Sequence, residues 1–196
     1  MAKKFIYLWC IAALATPLLA GFISFVIDPY GLYQTTNVIG LNQQKEGVRN
    51  KIRLVKSLEL PLRKPRTLIM GTSRVHDGIN PDHPSLQDYS PVYNFAVDMN
   101  RIHETLLLLR HATENTDVKR VVLGLDFFMF NALQRQNEDF DDTLVGRKVG
   151  ATDYLGTTLF SRSAITDSYK TVKQSYQQPK AWNFCLMDIV LRHFMD

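Results

Sequence analysis

The chain has 196 residues, enough for one domain and an appendage. Its hydrophobic content of 45% is ordinary for a globular protein, and 23 Lys and Arg against 19 Asp and Glu leave a formal charge of only +4. That balance argues against a nucleic-acid partner, and two cysteines, Cys10 and Cys185, support no disulfide framework.

The hydrophobic residues are concentrated at the start. Phe5 to Ile27 holds 23 residues without one charged side chain. As a helix rising about 1.5 Å per residue it spans roughly 34 Å, more than the ~30 Å of a bilayer's hydrocarbon. Pro17 and Gly21 within it are tolerated in membrane helices. Lys3 and Lys4 precede the span, whereas Asp28 to Gln44 holds no Lys or Arg. The positive-inside rule therefore puts the N-terminus in the cytoplasm and the rest of the chain outside. A cleaved signal peptide is the competing reading, but the stretch is long for one and Leu18 and Ala20 make a poor cleavage site. Outside the membrane, without Lys3 and Lys4, 21 basic residues face 19 acidic ones. Cys10 lies within the span and Cys185 near the other end, so the two cannot pair within one molecule.

Next comes a turn-rich aromatic segment, Asp28-Pro29-Tyr30-Gly31-Leu32-Tyr33. It is either a linker leaving the membrane or a place where Tyr30 and Tyr33 anchor at the interface. Glu46 to Leu60 reads as one amphipathic helix ended by Pro61, with Val48, Ile52, Val55 and Leu58 at helical spacing. Its basic residues Arg49, Lys51, Arg53 and Lys56 form either a solvated face or a lipid-facing one.

The core pattern follows. Thr67–Met70 is a short buried strand, 91–97 a second and 120–125 a third, rich in β-branched residues. Between the last two, 101–112 is helical with Leu106 to Leu109 as its buried centre. Strand, connection, strand, helix, strand predicts a parallel sheet with crossovers in an open three-layer α/β sandwich. Farther on, 134–142 reads as a polar surface loop, 163–177 as a helix with Ile165, Tyr169, Val172 and Tyr176 on one face, and 182–194 as a last amphipathic helix. The domain boundaries expected are residues 1–27 for the cytoplasmic tip and anchor, 28–65 for the linker and basic helix, and 66–196 for the α/β domain.

One stretch points to chemistry. Leu68-Ile69-Met70-Gly71-Thr72-Ser73-Arg74 puts a serine on a glycine turn at the C-terminal end of a buried strand, where open α/β sheets bind ligands and mount nucleophiles. A serine attacks only with a base to take its proton and donors to hold the oxyanion. The bland alternative is that Gly71 makes a bend and Thr72 or Ser73 caps a helix. Arg74 either holds an anion through its planar fork or braces the turn by pairing with Asp77 or Asp98. Asp126 is either part of the site or a strand-end cap. No metal site is expected, since His76, His83, Asp77 and Asp82 lack ligand spacing. No cofactor is expected, there being no dinucleotide or P-loop motif.

The blocks Gly71-Thr72-Ser73-Arg74, Tyr93-Asn94-Phe95-Ala96 and Val121-Val122-Leu123-Gly124-Leu125-Asp126, in this order over residues 28–131, resemble the SGNH (GDSL-like) hydrolase superfamily. More narrowly they resemble its membrane-anchored members in bacterial envelopes. The resemblance implies a flavodoxin-like sandwich carrying a short parallel sheet behind one transmembrane helix. It implies ester hydrolysis or O-acyl transfer on envelope glycans, in the periplasm, from an inner-membrane anchor at residues 5–27. An envelope polysaccharide or an acyl-donor protein would be the partner. Ser73 would be the nucleophile, with Asn94, Asp126 and Arg74 as oxyanion or substrate-binding residues. Two departures stand out. Asp126 occupies the place of an amide donor, and an ionised carboxylate cannot donate. The family's closing Asp-x-x-His block has no counterpart, and Asp188 and His193 stand five apart rather than three. The expectation is thus either a truncated member with an incomplete sheet or a non-catalytic relative that binds glycan or a partner.

Overall fold

The computed structural model describes residues 2–131, 133 and 148–178. The expected loop at 134–142 and last helix at 182–194 lie outside the described residues, as do Cys185, Asp188 and His193. The chain divides into two compact units, residues 1–49 with 155–196, and residues 50–154.

In the first unit α1 (Ala2–Ile27) contains the whole apolar stretch. Its part Lys3–Ile27, with mean hydropathy 2.3, is long and apolar enough to cross a membrane. Large side chains such as Phe5, Leu8 and Leu18 are exposed along it, while Gly21, Ser24 and Ile27 near its C-terminal end are buried. Gly21 is required there by a close approach. A Cβ at this position would lie 2.5 Å from Phe160 Cε1, on the π-helical turn Gly156–Phe160.

The segment after α1 is packed, rather than a free linker. Asp28 is buried and accepts the Leu32 N–H at 2.9 Å, with Lys45 Nζ 3.8 Å away. The Tyr30 hydroxyl, also buried, donates to Asp167 Oδ2 at 3.0 Å. Tyr33 and Thr158 share a hydroxyl hydrogen bond of 2.6 Å.

The expected helix 46–60 is two helices. After α2 (Glu46–Asn50), Lys51 breaks the turn, and α3 (Ile52–Arg63) follows with Pro61 inside it. Pro61 has no N–H for the carbonyl of Ser57, four residues back. The buried His111 supplies the missing donor, its Nε2 lying 3.0 Å from Ser57 O. The helix therefore runs on past the proline and ends at Lys64, whose φ of 47° closes it.

Three strands, β1 (Thr67–Met70), β2 (Val92–Asn94) and β3 (Arg120–Leu123), form a parallel sheet in the order β2-β1-β3. Thr67 pairs with Val92 on one side and with Arg120 on the other. Bonding continues past regular β2, from Phe95 N to Ile69 O at 2.7 Å and from Val97 N to Gly71 O at 3.2 Å, so the expected 91–97 segment is extended almost throughout. Alternation along the central strand splits the core. Leu68 and Met70 join Leu60, Phe95, Val97, Leu108 and Ala112, whereas Ile69 packs on Val75 and Ala96. The result is a mixed α/β unit with helices on both faces of a short sheet.

The helix α5 (Ile102–Asn115) runs three residues beyond the expected end. Its leucine run is not a buried centre. Four consecutive residues sweep the whole helix circumference, so Leu108 is fully buried while Leu106 is exposed. The inward face is Glu104, Thr105, Leu108, His111 and Ala112, which makes His111 a core residue rather than a surface one. The remaining helices are α4 (Ser73–Gly78), α6 (Ala151–Leu155) and α7 (Arg162–Gln177).

Candidate functional site

Because β1 connects to β2 on one side and β2 then connects back past β1 to β3 on the other, the two connections run in opposite directions. A crevice forms at such a switch point, outside the C-terminal ends of the strands. The turn Gly71–Arg74 after β1 and the turn Gly124–Asp126 after β3 stand at that place, joined by the Gly124 N–H donating to Met70 O at 2.9 Å.

Two glycines and one valine shape the turn. A Cβ on Gly71 would meet Val75 Cγ2 at 2.5 Å and Gly124 O at 3.0 Å, and a Cβ on Gly124 would collide with the same valine methyl. Val75 thus fills the slot left by both missing side chains and seats α4 against the ends of two strands. Ser73 is the first residue of that helix. It is half-buried, and no described residue hydrogen-bonds its hydroxyl.

The neighbours on either side of Ser73 converge on Asp126. The Thr72 hydroxyl donates to Asp126 Oδ2, and Arg74 Nη1 donates to Asp126 Oδ1 at 2.7 Å. Arg74 also lies with its guanidinium carbon 5.9 Å from the Phe128 ring centroid. Arg74 therefore braces the turn, as one reading held, but through Asp126 and not through Asp77 or Asp98. Thr72 stands at the N-cap position, yet its hydroxyl is engaged by Asp126 and does not cap the first N–H groups of α4.

Asn94 is buried at the end of β2, and its amide points to the other end of α4. Nδ2 donates to the carbonyls of Val75, His76 and Ile79 at 3.0–3.2 Å, and Oδ1 accepts the Ala96 N–H. Of these, the Val75 carbonyl also accepts the Ile79 N–H, and His76 O is one that a helix C-terminus leaves without an intrahelical partner. In this position the amide closes the C-terminal end of α4.

The chain matches no family model, no curated protein and no solved structure. The reading of the site therefore stands on its geometry.

Of the residues around the turn, Asn100 was not singled out from sequence, and His76 was named only in setting aside a metal site. His76, one helical turn after Ser73, has Nδ1 3.5 Å from Asp98 Oδ1 and 3.7 Å from Asp77 Oδ1. Asn100 donates to Gly71 O at 3.2 Å and to Thr105 Oγ1 at 2.9 Å, holding the carbonyl just before the serine turn. Below the site, Arg53 and Lys56 are buried rather than solvated. Arg53 pairs with Glu104 at 3.1 Å and donates to Asp98 O at 2.6 Å. Lys56 Nζ donates to Asn94 O and Ala96 O, and burial pushes its ammonium down to about 8. These two cations hold the chain that leaves β2. The sequence signal was their i, i+3 spacing on the helix face carrying Leu60, which a solvated stripe would not share. Among the described residues no three His, Cys, Asp or Glu side chains cluster as a metal site.

Proposed function

We propose that this chain is a membrane-anchored SGNH-like protein whose exterior domain acts on an ester, by hydrolysis or O-acyl transfer, through Ser73. The observation that carries the reading is the place of Ser73, at the switch point of a parallel sheet, first in a helix, with its hydroxyl free of the described residues. Strand order β2-β1-β3 with helices on both faces is the arrangement a flavodoxin-like sandwich requires. The uncapped N–H groups at the start of α4 would serve an oxyanion, and Arg74 would lie within reach of an anionic or glycan substituent. For the proton, His76 one turn along the same helix, with Asp98 3.5 Å from its Nδ1, would serve as the base. Helix α1 would be the single-pass anchor in a bacterial inner membrane, N-terminus cytoplasmic, with an envelope glycan as the substrate class outside.

A specific observation favours a second reading, a non-catalytic relative that binds glycan or a partner. Asp126 is held by Thr72 and Arg74, and Asn94 by α4, so two of the site's polar side chains are engaged inside the fold. A fluorophosphonate probe separates the two readings. Catalysis predicts labelling of the detergent-solubilised full chain that Ser73→Ala abolishes and His76→Ala slows. Labelling that is absent, or indifferent to Ser73→Ala, rejects the enzyme.

A further inference from the structure

Helix α7 is amphipathic with its polarity inverted. The residues it buries are small or polar: Ala164, Asp167, Ser168, Thr171 and Ser175. Its apolar stripe points outward, with Ile165 47%, Tyr169 68% and Tyr176 78% exposed and Val172 half-buried beside them. These four recur at i, i+4, i+7 and i+11, one continuous face. In water that arrangement exposes what a docked helix normally hides. Close approach through small inward residues, with apolar side chains outside, is how helices pack in lipid.

The stripe is continuous with α1. A groove of about 310 Å³, almost wholly apolar, is lined by Ala20, Ile23 and Ile27 of α1 and by Ile165, Tyr169 and Val172 of α7. Ser24 and Ser168 also line it, and both hydroxyls are buried without a hydrogen-bond partner among the described residues. At about 1.5 Å per residue, Ala20 to Ile27 lie roughly 22 to 33 Å from Phe5, at the far edge of a ~30 Å hydrocarbon layer. The charges around the stripe suit the surface of that layer. Arg162 precedes Ile165 by three residues and Lys173 lies between Tyr169 and Tyr176, whereas the helix's lone acid, Asp167, turns inward to Tyr30.

We infer that α7 lies in the outer lipid–water interface beside the last two turns of α1, its stripe in acyl chains, its Arg162 and Lys173 among anionic headgroups, and the groove filled by an acyl chain. The inference rests on the reading of α1 as a membrane span. It makes the membrane contact of this unit a two-helix surface rather than a single tether.

The test uses the full chain, with Cys10 and Cys185 changed to serine, in vesicles of phosphatidylethanolamine and phosphatidylglycerol. Single cysteines at Ile165→Cys, Tyr169→Cys, Thr166→Cys and Phe22→Cys carry a small fluorophore, and a phospholipid spin-labelled high on its acyl chain is the quencher. Labels at 165 and 169 are expected to be quenched like the label at 22, and roughly twofold or more beyond the label at 166 on the same helix. Quenching at 22 with none above the 166 level at 165 and 169 overturns the inference and leaves the anchor standing. Labels at 165 and 169 shielded from water but unquenched by lipid overturn it in favour of a protein partner. No quenching at 22 rejects the anchor itself, and the inference with it.

Discussion

His111 Nε2 lies 3.0 Å from the carbonyl of Ser57, the acceptor that Pro61 leaves without a backbone donor. A carbonyl only accepts, so Nε2 carries the proton, and the imidazole is neutral with its other nitrogen turned to Asn115. A side chain on α5 thus completes the ladder of α3. Losing it strands a buried acceptor, at a cost of about 1–3 kcal/mol. His111→Ala should lower the unfolding midpoint accordingly. Pro61→Ala in that background should restore much of the loss, because residue 61 then offers its own N–H. Midpoints of the four chains of this cycle measure the coupling.

The same histidine sets a pH dependence. Burial pushes its pKa below the ordinary value, against a smaller upward pull from Ser57 O. Below about 6.5 the unfolded chain binds a proton that the folded chain resists, so stability is full above that pH and falls as pH drops through it. His111→Asn should flatten the slope below about pH 6.5. An unchanged slope would mean that other groups set it.

At the serine turn, the valine slot makes a directional prediction. Gly124→Ala should destabilise by about 2 kcal/mol through overpacking, and Val75→Ala should largely relieve it. Gly71→Ala should be relieved less, because its Cβ also meets the Gly124 carbonyl, which no side-chain change removes. Equal rescue of the two would count against this account of the turn.

The Asp126 bridge should prove uneven. Arg74 has a side chain 76% exposed, so Arg74→Ala should cost under about 1 kcal/mol. Asp126→Ala also strands the buried Thr72 hydroxyl and should cost about 1–3 kcal/mol. Unfolding midpoints of the two variants give the ranking.

The buried Arg53–Glu104 pair invites the opposite expectation from the exposed Arg63–Glu59 pair. Glu104→Ala leaves a guanidinium buried and should cost about 3–5 kcal/mol. Removing Glu59 from Arg63 should cost under about 1 kcal/mol for the ion pair alone, which Arg63→Ala isolates because Glu59 also accepts from Tyr93.

Composition made the apolar first helix and the three strands legible, because each is a run of the residue types its element favours, although β1 is buried throughout and β3 is exposed. Legibility failed where a distant side chain changed a local rule. Pro61 should have ended a helix, and His111, fifty residues away, let it continue. Lys56 and Arg53 looked like a solvated stripe, but carbonyls and a carboxylate from across the unit drew them inside. At the site, Gly71 and Ser73 were conspicuous because strand–glycine–serine is a local pattern. Asn100 was not, since the Gly71 carbonyl it holds lies a strand away.

Helix α4 has six residues, far below the ~12 at which a helix holds together alone in water. It is kept by side chains from its neighbours, with Asp126 gripping Thr72 at one end and Asn94 gathering three carbonyls at the other. Ser73 therefore sits on a short beam clamped at both ends, one clamp mounted on β2 and one just past β3. Its hydroxyl takes its aim from the spacing of those two outer strands, so a change that slides either one would re-aim the serine without touching it.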